Sequence, residues 1–143
     1  MGATSEAGFW SLMGGAIAPM RARHPFAMQV VDAEPERGEL EFAFAAKAEH
    51  ADAAGRIKKG YLCAMLDDAM DTTLSAICGP HQSVSSIDMR VQYVHPGLPG
   101  GFAARARIVS RVPGAVTVEG EIFQNARLVA RAIGTSSVQE RTH

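Results

Sequence analysis

Along residues 39–46, "ELEFAFAA", apolar and polar side chains alternate, with Leu40, Phe42 and Phe44 on one face and Glu39 and Glu41 on the other. A period of two predicts a half-buried strand. "PFAMQVVDA" (25–33) alternates more weakly and also reads as a strand, ending at the turn "EPERG". Four further strand-like stretches close the chain: "SVSSIDMRVQYV" (83–94), "FAARARIVSR" (102–111), "AVTVEGEIF" (115–123) and "RLVARAIGTSSVQ" (127–139). The turn-forming stretches "HPGLPGG", "VPG" and "QNA" separate them. Between Gly60 and Ile77 the period lengthens to that of a helix. A second amphipathic stretch, "FWSLMGGAIAPMRA" (9–22), is a weaker helix candidate, interrupted by Gly14, Gly15 and Pro19.

The predicted order is therefore helix, two strands, helix, four strands. Short links among the last four strands predict antiparallel hairpins, and one helix against one antiparallel sheet is an α+β architecture. Such a sheet leaves edges and a face uncovered, so a homodimer or homotetramer is expected.

Composition narrows the function classes. A length of 143 residues suits one domain over 1–143. The formal net charge is −1, and no basic run exceeds Lys58-Lys59, so nucleic acid is not an expected partner. No apolar run approaches the roughly 20 residues that span a bilayer, and no secretory leader pattern opens the chain. No membrane association and a cytoplasmic location are expected. Cys63 and Cys78 lie in or just after the same helix, with spacing that suits neither a disulfide nor a metal site, and a reducing compartment fits them. The five histidines have no metal-ligand spacing, so neither a metal nor a cofactor is expected, and His50 reads as a surface-loop residue. Ser83, Ser85 and Ser86 lack a nucleophile-elbow context. Arg105, Arg107 and Arg111 alternate on one strand face and are expected to be solvated.

The unusual feature is the helix, which carries Asp67, Asp68 and Asp71 within little more than one turn. At about 100° per residue, Met65, Ala69, Leu62, Thr73, Leu66, Ile77 and Met70 form one apolar arc. The aspartates fall opposite, with Asp71 pointing out near the middle of their face. Asp67 lies about 20° from Leu74, whereas Asp68 lies about 60° from Met65, its nearest large apolar neighbour. Asp67 is thus the aspartate expected to be half buried, where desolvation raises a carboxyl pKa and suits it to general-base work. Periodicity alone leaves open whether all three simply solvate an exposed face.

The stretch "HADAAGRIKKGYLCAMLDDAMDTTL" resembles the hot-dog-fold thioesterases of the phenylacetic-acid-degradation (PaaI-like) type. Their motif reads roughly H-x-N-x-x-G-x-x-H-G-G, followed by a helix ending in L-L-D-E-A-M. The match runs without gaps from His50 to Met70: Gly55 falls on the first glycine, Lys58 on the histidine, and Lys59 and Gly60 on the glycine pair. Asp52 stands at the asparagine, and Met65 to Met70 cover the helical run. "SVSSIDMRVQYVHP" resembles the strand that follows, with Ser86 near its start and Tyr93 through Pro96 at its end.

The resemblance implies a central helix wrapped by a curved antiparallel sheet of about six strands, with two subunits joining sheets and sites at their interface. It implies an acyl-CoA thioesterase acting on a coenzyme A thioester. Asp67 would be the catalytic acid, the Lys59 backbone amide the oxyanion donor, and Ser86 a positioner of water or carboxylate. Asp52, Lys58 and Gly60 would line the substrate site, and Tyr61 and Met65, at the start of the helix that carries Asp67, are expected near the acyl end of the pocket. A non-catalytic acyl-CoA-binding protein and a hydratase on the same fold stay open as alternatives.

Overall fold

In the computed structural model residues 24–141 are described, and the helix expected over 9–22 lies outside them. The alternating stretches form β1 (Gln29–Glu34), β2 (Glu39–Ala46), β3 (Gln82–Tyr93), β4 (Gly100–Val112), β5 (Ala115–Gln124) and β6 (Arg127–Glu140). The long amphipathic stretch is α1 (Lys59–Ile77), the single α-helix among the described residues. One antiparallel sheet runs in the order β1-β2-β4-β5-β6-β3 and curves around α1.

Two sequence-based expectations are corrected. β1 starts later than residue 25, because Ala27 adopts φ 50° and bonds the His24 carbonyl at 3.1 Å, so the chain turns before the ladder begins. The links after β4 and β5 make hairpins, but the link after β3 does not. β3 pairs with β6, whereas β4 lies between β2 and β5. The Pro- and Gly-rich segment 94–99 instead passes beneath the start of α1. There the Gly97 carbonyl accepts the Ile57 N–H at 2.8 Å, and a Cβ on Gly97 would stand 3.0 Å from the Phe102 ring.

A row of small residues lets α1 lie close to the sheet. Leu40, Ala106, Gly120, Ala132 and Val91 align across five strands, so the middle of the row is nearly without side chains. Met70 and Leu66 fill that trough: a Cβ on Gly120 would sit 3.1 Å from Met70 Cγ and 3.3 Å from Leu66 Cδ2. At Gly134, on the next strand, a Cβ would come within 2.7 Å of the Asp88 carbonyl oxygen. Leu62, Met65, Leu66, Ala69, Met70 and Thr73 are buried as the wheel predicts, while Ile77 is only partly so. Burying each large apolar side chain contributes roughly 1.5–3 kcal/mol. Leu74, beside Asp67 on the wheel, is also fully buried.

The outer face of the sheet is charged. Arg105 pairs with Glu121 at 2.9 Å, and Arg107 pairs with Glu119. Exposed pairs of this kind add little to stability, because solvent and salt screen them. No helix among the described residues is long and apolar enough to cross a membrane.

Candidate active site

The site is built from the two halves of α1. At its start, the loop before the helix is shaped by Asp52, whose Oδ1 accepts the Ala54 and Arg56 amides at 2.9 and 3.1 Å. Gly55 turns this loop with φ 79°. The Lys58 amide then bonds the His50 carbonyl at 3.1 Å, and Lys58 becomes the N-cap without any side-chain cap bond. Its carbonyl takes the Tyr61 and Leu62 amides at 2.9 and 3.4 Å. The Lys59 and Gly60 amides accordingly have no acceptor among the described residues. A Cβ on Gly60 would meet nothing within 4 Å, so the approach to these amides is open. Two outward-facing amides at a helix N-terminus favour an incoming oxygen that carries negative charge.

His50 is not a surface residue. It is buried, its Nδ1 accepts the Lys47 amide at 2.9 Å, and its ring packs edge-on against Phe26 and Tyr61 at 4.9 and 5.0 Å between centroids. Tyr61, half buried, also packs on Phe26 at 5.5 Å. This ring cluster fixes the base of the loop. Loop position alone hid it, because aromatic partners from β1's leading turn and from α1 cover the imidazole.

The three aspartates have three different surroundings. Asp68 Oδ2 lies 2.5 Å from His24 Nε2. His24 Nδ1 accepts the Phe26 amide at 3.1 Å, so Nε2 carries the hydrogen and donates it to Asp68. Asp71 Oδ1 accepts the Ser86 hydroxyl at 3.2 Å. Asp67 makes no hydrogen bond or ion pair among the described residues, although it is half buried. Burial first, and the Asp68 charge second, push the Asp67 carboxyl above the usual carboxylate range. Asp71 is pushed the same way, by burial and then by Asp67, with the Ser86 hydrogen bond pulling back.

The wheel misjudged Asp71. It does not point into open solvent, because the edge strand β3 curls along that flank of the helix. The structure brings Ser86 to Asp71, one turn beyond Asp67, rather than to Asp67 itself. His24, Asp71 and Tyr93 are the neighbours that helical periodicity missed. For Ser86 and Tyr93 the only sequence signal is their position on one strand after the helix.

No protein-family model matches the sequence, and no curated protein matches it. Solved structures do. A phenylacetic acid degradation-related protein from Ralstonia eutropha JMP134 aligns with a TM-score of 0.80 at 26% identity, over 90% of this chain and 98% of that one. An Asn-to-Asp variant of the phenylacetic acid degradation protein PaaI from Thermus thermophilus aligns at 0.70 and 27% identity, over 87% and 99%. The chain has the hot-dog fold of the PaaI-type thioesterases. A Haemophilus influenzae thioesterase shares this hot-dog fold at a TM-score of 0.77 and 15% identity, over 85% of each chain. Within the fold, the helix that the sheet wraps is the one carrying the amides and the carboxylate that lack partners among the described residues.

Proposed function

We propose that the protein is an acyl-CoA thioesterase, hydrolysing a coenzyme A thioester to the free acid and coenzyme A. The observation that carries this reading is one helix with two amides, at Lys59 and Gly60, and one half-buried carboxylate, at Asp67, that have no hydrogen-bond partner among the described residues. The Lys59 amide polarises the thioester carbonyl. Asp67 takes a proton from water as the oxygen adds to the carbonyl carbon, and the resulting oxyanion is held at the helix N-terminus. Collapse of the tetrahedral adduct breaks the carbon–sulfur bond, and the departing thiolate takes the proton held on Asp67 to leave as coenzyme A, which restores the carboxylate. The raised pKa of Asp67 strengthens it as a base. Ser86 orders the acidic end through Asp71. Asp52, Lys58, Gly60 and Tyr61 surround the approach.

Geometry argues for two subunits. A helix rise of about 1.5 Å per residue sets the Lys59 amide and Asp67 about 12 Å apart along one axis. Reacting groups must approach within about 3–3.5 Å, so the amide of one helix works with the carboxylate of another. We propose that two copies join along the open β3 edge and form two such sites. Free thiols at Cys63 and Cys78 suit a cytoplasmic setting.

The first experiment is release of free thiol from a panel of acyl-CoAs. Lys59→Pro then deletes the amide together with the side chain, and Lys59→Gly, which loses the side chain alone, is its control. Proline is accepted at the first helical position, and Lys58 already has φ −58° and ψ 136°, the conformation a following proline requires. Lys59→Pro and Asp67→Asn should each be inactive, and their mixture should regain activity through hybrid dimers with one intact site. No activity in the mixture would sink the two-subunit site.

A second reading has its own observation. Asp52 turns its carboxylate onto its own loop, so no side-chain donor joins the Lys59 amide. This favours a non-catalytic acyl-CoA-binding protein, for which acyl-CoA would bind without thiol release.

A further inference from the structure

Lysine is an awkward residue at the head of α1. If its amide receives the thioester oxygen, its long side chain leaves from the same residue and has to be kept out of the approach. The structure shows where it goes. Lys59 Nζ lies 5.5 Å from the centroid of the Tyr93 ring, within the range at which an ammonium is attracted to an aromatic face. The Tyr93 hydroxyl donates to the Lys59 carbonyl at 3.3 Å. One tyrosine therefore holds both the side chain and the carbonyl of Lys59.

Tyr93 is itself well anchored. It is the last residue of β3, where it pairs with Ala130 of β6. Burial, followed by the Cys63 thiol beside it, pushes its phenol above the ordinary range. Cys63 sits one turn beyond Lys59, so the ring spans the first turn of the helix and ties it to the edge strand.

We propose that Tyr93 is a positioning residue for the Lys59 amide, holding the Lys59 side chain against β3 so that the helix N-terminus stays open to the thioester oxygen. This rests on the thioesterase reading above and adds a role that neither the helix nor its loop supplies. Tyr93 acts before the reaction, by excluding the wrong Lys59 rotamers and, through the Lys59 carbonyl, by fixing the Lys59–Gly60 peptide plane that carries the neighbouring Gly60 N–H. Its loss should appear in the chemical step more than in binding, because the amide matters most when the oxygen becomes an anion.

The test is a double-mutant cycle on acyl-CoA hydrolysis. Tyr93→Leu keeps apolar bulk on β3 but has no aromatic face and no hydroxyl. It should lower kcat by about tenfold, as a misplaced catalytic group does, with KM moving less than about threefold. Tyr93→Phe, which still holds the ammonium, should recover most of that loss. In a Lys59→Gly background there is no side chain to hold, so Tyr93→Leu should cost less than about threefold. A cost that is the same in both backgrounds would make Tyr93 merely structural and overturn the proposal.

A second readout does not depend on activity. With its lysines carrying ¹³C-labelled methyl groups, the protein should give an upfield ring-current shift at Lys59 that disappears in Tyr93→Leu. Absence of that shift from the unmutated protein would also overturn the proposal. Failure of the underlying reading looks different: the unmutated protein would release no thiol from any acyl-CoA, or Lys59→Pro and Asp67→Asn would leave that release intact, while the Lys59 ring-current shift still reports on Tyr93.

Discussion

β1 and β3 are both edge strands of one sheet, and they are made differently. β1 has six residues, is bulged between Val30 and Asp32, and buries Val30 and Ala33. β3 has twelve residues, none of them buried, and Ile87 at its bulge is 63% exposed. The helix between them divides in the same way. On the β1 side, His24 takes Asp68, and the Thr72 hydroxyl faces the Met28 sulfur at 3.9 Å. On the β3 side, Ser86 meets Asp71 and Tyr93 meets Lys59. Both edges are bulged, but a short, buried edge completes a core and offers little to pair with, whereas a long open edge invites another strand. One edge therefore belongs to folding, and the other carries the contacts through which the proposed chemistry is arranged.

The largest effect should separate two adjacent residues. Asp67→Asn should lower kcat by about 10²-fold or more, the scale of a general base, while Asp68→Asn, on the β1 flank, should stay within about threefold. Equal losses would erase the division of the helix. Next, Ile87→Glu should halve the mass seen by light scattering to that of the 15.2 kDa chain and abolish most activity, whereas Val31→Glu at the exposed outer side of β1 should change neither. Dissociation by Val31→Glu instead would exchange the roles of the two edges.

A smaller effect concerns stability. Burial raises the Asp71 carboxyl above its unfolded value of 3.8, so folding binds that proton more tightly. The stability from Asp71 is therefore fully present below pH 3.8 and is lost as pH rises through the folded value. Asp71→Asn, which still accepts from Ser86, should melt higher than the unmutated protein at pH 7, with the gap closing in acid. A lower melting temperature at pH 7 would mean that the carboxylate supports the β3 flank. The smallest effect is in the pH profile. Asp68→Asn removes a charge that raises the Asp67 pKa, so the acid limb of kcat should move to lower pH. No movement would mean that the β1 flank leaves Asp67 electrostatically untouched.

The contrast between the edges marks what the sequence could reveal. β2 was legible to the residue because Leu40, Phe42 and Phe44 face a core while Glu39 and Glu41 face water. The helix was legible because its buried arc is continuous. The place of β3 was not, since a short link ordinarily makes a hairpin, and here Gly97 is drawn under α1 by the Ile57 amide. Asp71 failed for the same reason: a helical wheel knows its own helix but not the strand that covers its flank. Asp67 was expected to be the half-buried aspartate because it stands near Leu74 on the wheel; it is half buried, but so are Asp68 and Asp71, and burial alone does not single it out.

The trough beneath α1 has an evolutionary consequence. Gly120 and Gly134 already have the smallest possible side group, so any substitution there adds atoms between helix and sheet. Random change at these positions can raise the helix but never lower it. The depth at which Asp67 and Asp71 ride is thus a mutational floor, and drift away from it runs in one direction only.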